Sequence, residues 1–246
     1  MNLSFSVRPL VMAALGLVLA AGVSLSTAGP ASAAIIESFA FTSDHCTGNC
    51  LTPGSPSAGT VTVTDNGTGT LHYAVTLNTG FGIINTGGSG GLGASFGFNL
   101  DKTPITLTNL VTPGATFSLV STSAGSIHID GFGDFSYGLN CTSCGNGASN
   151  PDFTTNAIAF DVTAAGGLFL TPPPTGDVTV SAGGSPNAFF ALDVFSTATG
   201  ATGPVDASTP TQAVPGPIAG AGLPGLILAG CGLLGLVRRR RLQLVA

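Results

Sequence analysis

Thr60-Val61-Thr62-Val63-Thr64-Asp65-Asn66-Gly67-Thr68-Gly69-Thr70-Leu71-His72-Tyr73-Ala74-Val75-Thr76-Leu77 is the stretch that decides the fold class. Valine alternates with threonine in its first part. In its second part Leu71, Tyr73, Val75 and Leu77 share one phase, while His72, Ala74 and Thr76 share the other. A period of two belongs to a strand with one buried face and one wet face. The Asp-Asn-Gly between the runs is turn chemistry, so the segment predicts an antiparallel hairpin.

The same vocabulary of Thr, Val, Ser, Phe and Gly extends in both directions. Further strands are predicted at Ile35–Thr42, Ala94–Leu100, Ile105–Leu110, Phe117–Leu119, Ile127–Ile129, Phe132–Gly138, Ala157–Val162, Val178–Val180 and Ala188–Phe195. Asn78-Thr79-Gly80, Asn85-Thr86-Gly87-Gly88 and Gly183-Gly184-Ser185-Pro186 punctuate them. About a dozen short strands with turns of this kind predict an all-β domain, an antiparallel β-sandwich or jelly-roll, over residues 34–196. Residues 197–214, rich in Thr, Ala, Gly and Pro and without a periodic apolar face, predict a linker.

Charge is scarce, at 7% of residues against roughly 25% in an ordinary soluble domain. All 11 acids fall between Glu37 and Asp206, where Lys102 is the only base, giving 1 − 11 = −10 for that stretch. Such a surface repels phosphate backbones, so nucleic acid is not an expected partner.

The two ends follow different rules. Residues 1–33 carry Arg8, an apolar run from Leu10 to Leu25, and a small-x-small site at Ala31-Ser32-Ala33. This pattern predicts a secretory signal helix cleaved after Ala33. Residues 216–237 hold no charge and are long enough for one transmembrane helix. Arg238, Arg239, Arg240 and Arg241 follow and are expected to stay cytoplasmic, which places the β domain outside.

Residues 215–246 resemble a known sorting signal. Val214-Pro215-Gly216-Pro217, the Gly/Leu-rich span ending Cys231-Gly232-Leu233-Leu234-Gly235-Leu236-Val237, and the arginine cluster together are similar to the PEP-CTERM signal, with Gly216 where such signals carry Glu. The resemblance implies tethering to the inner membrane and recognition by an exosortase, a membrane cysteine transpeptidase. It also implies transfer to the outer surface or matrix of a Gram-negative bacterium that makes exopolysaccharide.

Export gives meaning to Cys46, Cys50, Cys141 and Cys144. In an oxidising compartment an even number of cysteines predicts disulfides, either within each close pair or between the two pairs. The rival is a zinc site, since Cys141-x2-Cys144 has ligand spacing and His45 precedes Cys46. Catalytic signals are thin. Gly87-Gly88-Ser89-Gly90-Gly91 matches a nucleophile elbow in letters, but no helical pattern follows it. The acids single out no facing pair of the kind glycoside hydrolysis uses. Asp130-Gly131-Phe132-Gly133-Asp134 could offer hard oxygens to calcium, or use its carboxylates in a turn. His72 and His128 fall on the polar phase of their strands. There is no Trp and only two Tyr, Tyr73 and Tyr137, and Tyr73 falls on the apolar phase of its strand, so flat aromatic platforms for sugar are scarce and recognition is left to hydrogen bonding through Asn, Thr and Asp.

The expectation is therefore a non-catalytic envelope or matrix protein, structural or adhesive and associated with exopolysaccharide, with no cofactor and no metal. A polysaccharide-binding module is the alternative, and an exported hydrolase a third.

Overall fold

A computed structural model describes residues 34–85, 94–121, 127–149, 151–153, 157–171 and 176–215. The expected leader, the charge-free span and the arginine cluster lie outside these residues. The described chain is all-β and antiparallel, and its one helical element is a single 3-10 turn, Gly147–Ser149. The described residues all belong to one compact unit.

Two sheets carry the fold. The first, sheet A, has the order β16-β1-β3-β4-β12-β7. Its strands are β1 (Ile35–Ala40), β3 (Gly59–Asp65), β4 (Thr70–Leu77), β7 (Ile105–Val111), β12 (Ala157–Ala164) and β16 (Pro210–Pro215). The second, sheet B, runs β2-β15-β14-β6-β11-β8, with β5 beside β14 and β13 beside β6. Its members are β2 (Ser43–Asp44), β5 (Phe81–Ile83), β6 (Phe96–Leu100), β8 (Phe117–Ser121), β11 (Tyr137–Cys141), β13 (Val178–Thr179), β14 (Phe190–Ser196) and β15 (Thr202–Ala207). A separate ribbon pairs β9 (Ile127–Ile129) with β10 (Gly133–Phe135).

The predicted hairpin is β3–β4, in register from Gly59 opposite Leu77 to Asp65 opposite Leu71. Its apolar phase is buried as expected, with Val61, Val63, Leu71 and Tyr73 fully enclosed. Aromatic rings bring the two sheets together. Tyr73 lies parallel to Phe160 in sheet A at 4.9 Å, and Phe98 of sheet B sits 5.6 Å from both. Phe190 of sheet B meets Phe39 of sheet A edge-on at 4.9 Å. Ring pairs in such offset and edge geometries add about 0.5–1.5 kcal/mol each to the area they bury.

Strict alternation fails in sheet B. Every residue of β6 is buried, as are all but Phe195 in β14. The cause is the β9–β10 ribbon, which covers the outer face of the sheet and encloses a second core of Ala94, Ile127, Ile129, Phe132, Phe135, Ala188 and Ala191. Gly97 and Gly138 stand opposite each other on that face. A Cβ on Gly97 would come within 2.7 Å of the Ile129 Cδ1, and one on Gly138 within 2.6 Å of the Ala94 Cβ. The ribbon seats against the sheet because these two positions carry no side chains. The predicted strand Phe132–Gly138 accordingly divides at Ser136, its first part in the ribbon and its second in sheet B.

Residues 197–214 are not a linker. Thr202–Ala207 forms β15, paired with β14 and β2, and Pro210–Pro215 forms β16, paired with β1. Prolines at 204, 210 and 215 hide the strand signal in the sequence. Tertiary pairing overrides it, because Pro210 and Pro215 fall at the ends of an edge strand, where proline is tolerated. The domain therefore continues through 215 rather than ending at 196, and β16 runs directly into the Val214-Pro215 motif.

The cysteines close locally, as Cys46–Cys50 and Cys141–Cys144. With their sulfurs joined, neither pair has the thiolates that the zinc reading requires. Loops this short gain about 2 kcal/mol apiece from the chain-entropy effect.

Four acids are buried, Glu37, Asp65, Asp193 and Asp206, and burial raises the first and the last. Glu37 shares the inward phase of β1 with Phe39, is 2% exposed, and its Oε2 has no hydrogen-bond partner among the described residues. Burial pushes its carboxyl above the usual 4.5. Asp206 lies opposite Ala191 on the covered face of sheet B, and burial raises it above 3.8 against the pull of the Ser43 and Ser208 hydroxyls. A raised acid binds its proton more tightly when folded, so stability falls as pH climbs from the unfolded to the folded pKa. Asp161 and Asp177 are lowered and act oppositely, losing stability below 3.8. The domain is therefore expected to melt at a higher temperature at about pH 5 than at about pH 8, and Glu37→Gln should shrink that difference. Thermal melts followed by circular dichroism across pH check both outcomes.

Candidate functional site

The outer face of sheet A is a polar surface built across several strands. Register fixes its layout. Thr60 lies opposite Thr76. In the next row Ser38, Thr62, Ala74 and Ala159 follow one another across four strands. The third row runs Ile36, Thr64, His72, Asp161 and Thr108, and the fourth Thr70, Thr163 and Thr106. Each of these side chains is exposed or half-buried. Strand geometry spaces the rows by about 6.8 Å and the columns by about 4.8 Å. The result is a grid of hydroxyls that both donate and accept, with methyl groups between them.

The centre of the grid holds its one ionised cluster. His72 Nδ1 contacts Asp161 Oδ1 at 2.6 Å, and the Asn109 amide donates to Asp161 Oδ2 at 2.7 Å. Both carboxylate oxygens are thus engaged. First the Asn109 bond and then the His72 bond hold the Asp161 carboxyl below its usual 3.8. With Asp161 ionised, its carboxylate oxygens act as acceptors in this cluster. Among the described residues no hydroxyl hydrogen-bonds to the His72 ring.

Asn109 reaches this position through a bulge. Pairing between β12 and β7 shifts between Ala159 and Asp161, and Asn109 takes the left-handed conformation with φ 53°. Asparagine tolerates that region better than other side chains bearing a Cβ. Sequence reasoning singled out His72 by its phase but neither Asp161 nor Asn109. The available signal was the break in alternation at Thr108-Asn109-Leu110, where a poor strand former interrupts the pattern.

The other histidines are also paired. His128 Nδ1 lies 2.7 Å from Asp134 Oδ1 across the β9–β10 ribbon, and His45 Nδ1 lies 3.3 Å from Asp130 Oδ2. The two carboxylates of the Asp130–Asp134 turn thus meet different histidines instead of converging on one point. Among the described residues no group of three His, Cys, Asp or Glu is placed to hold a metal. Gly87–Gly91 lies outside the described residues. Asp101 and Asp177 do adjoin; burial and the Asp177 hydrogen bond raise Asp101, while bonds from Lys102 and the Phe169 amide help to lower Asp177. Lys102 Nζ also donates to the Gly167 carbonyl at 2.6 Å, so this group fastens the loop after β12.

The chain matches no family model, and no curated protein or solved structure is similar enough to count as a match.

If Asn109 positions Asp161 from a left-handed bulge, two substitutions should separate its roles. Asn109→Gly is expected to cost only the side-chain bond, about 1 kcal/mol. Asn109→Ala should cost that and a further 1–2 kcal/mol or so of backbone strain. Equilibrium urea unfolding reads both values, and equal losses would refute the strain contribution.

Proposed function

We propose that this chain is an exported, non-catalytic protein of the bacterial cell envelope or extracellular matrix. In this reading the PEP-CTERM-like tail tethers it to the inner membrane, and an exosortase-type transpeptidase passes it to the outer surface of a Gram-negative cell. There it has a structural or adhesive role in association with exopolysaccharide. The chain crosses repeatedly between sheets A and B, as the jelly-roll reading of the sandwich requires. The two disulfides are compatible with export.

The observation that carries the reading is the hydroxyl grid on the outer face of sheet A. Adjacent sugar hydroxyls are met by repeated donors and acceptors at fixed spacing, and ring C–H faces by the threonine methyls. An excess of acids over one lysine repels polyanions, which favours a neutral polysaccharide. A second reading, a dedicated polysaccharide-binding module, draws support from the His72–Asp161–Asn109 cluster set inside the grid. Saturable binding of a soluble oligosaccharide distinguishes it from diffuse adhesion.

Two outcomes are expected. The protein should be retained on immobilised neutral exopolysaccharide, and a Thr62→Glu/Thr76→Glu variant should lose roughly tenfold in retention; equal retention of both forms removes the grid from the reading. Intact mass of the protein recovered from the envelope and the medium should show a chain without residues 1–33 that ends near Pro215. A mass that still includes residues 216–246 would exclude processing at the motif.

A further inference from the structure

The four edges of the two main sheets are guarded unequally. β16 begins and ends with proline. β2 is two residues long and carries Asp44. β7 is interrupted by the Asn109 bulge. β8 has none of these devices: Phe117-Ser118-Leu119-Val120-Ser121 contains no proline and no charge and keeps continuous register with β11 over five pairs. An unguarded edge is a template for another strand.

The geometry shows which groups β8 offers. Thr142 N–H donates to the Thr116 carbonyl at 2.8 Å, so by alternation Ser118 and Val120 bond to β11. Phe117, Leu119 and Ser121 then turn their N–H and C=O groups outward. Leu119 is 38% exposed on this edge, and Val111, at the end of β7, is 58% exposed. Both edge strands come from a stretch, Thr103–Ile129, without Asp, Glu, Lys or Arg. Elsewhere in residues 34–215 eleven acids face one lysine, so two copies repel each other unless they meet through a neutral side.

We propose that β8 is a homotypic docking edge, on which a second copy of this chain adds its own β8 in antiparallel register about Leu119. The pairing is self-complementary. Leu119 faces Leu119 of the second copy on the two-fold axis, Phe117 faces Ser121, and sheet B continues from one copy into the next. Such isologous contact closes at a dimer. This inference stands independently of the polysaccharide reading.

Sedimentation velocity of the full chain in mild detergent, over a dilution series, tests it. A reversible dimer is expected. Leu119→Lys places two ammonium groups side by side and should raise the dissociation constant by roughly tenfold or more. Asn66→Lys, the same charge change on the exposed β3–β4 turn, should leave it unaltered. Far-UV circular dichroism confirms that each variant keeps its strands. In an independent measurement, Leu119→Cys should form a symmetric cross-link under mild oxidation, since directly opposed hydrogen-bonded residues sit about 5.5 Å apart at Cα, within disulfide reach. A monomer at every concentration, or a dimer that L119K leaves unchanged and L119C does not cross-link, overturns the proposal.

Discussion

The contact between Tyr73 and Phe160 on one sheet and Phe98 on the other is the interaction on which the remaining structure depends. A chain with so few charges and no tryptophan must draw its stability from the burial of medium-sized apolar groups. Phenylalanine rings extending from both sheets provide it. Phe96, Phe98, Phe160, Phe190 and Tyr73 lie within about one ring width of their neighbours, and this stack fixes the separation at which the strands of both sheets must sit. The Tyr73 hydroxyl finds no hydrogen-bond partner among the described residues, and burial holds it protonated. At that position the ring, not the oxygen, contributes to the fold.

Glycine then builds outward from this core. Gly97 and Gly138 remove side chains where the β9–β10 ribbon must approach, so sheet B becomes an interior layer with apolar contacts on both faces. The Ser181 hydroxyl donates to the Phe132 carbonyl and accepts from the Ala188 amide at 2.9 Å, joining the ribbon to the loop before β14. The disulfides have a narrower task. Each closes a loop of a few residues beside sheet B, so they limit local unfolding and leave the union of the sheets to packing.

The few ionisable groups have separate local tasks. Lys102 ties the loop after β12 to Asp177, and each histidine is matched with a different aspartate. Such pairs on partly exposed surfaces contribute little stability individually. Their effect is positional: they hold turns, a bulge and a ribbon in place, and one of them, His72–Asp161, sits within the threonine face of sheet A.

The sequence by itself determined the all-β class, the β3–β4 hairpin and most of the remaining strands, because an alternating pattern encodes which side of a strand avoids water. It also placed His72 and Tyr73 on opposite faces. It could not place β15 and β16, whose prolines and small residues mask any period; only pairing with β14 and β1 makes them strands. Nor could it divide Phe132–Gly138 at Ser136 or show that β6 is buried on both faces, since the covering ribbon is distant from it in the chain. The disulfide pairing and the junction of Asp161 with Asn109 were likewise decided by tertiary structure. Periodicity is a local property and survives in one dimension, while partners separated by tens of residues are chosen by packing in three.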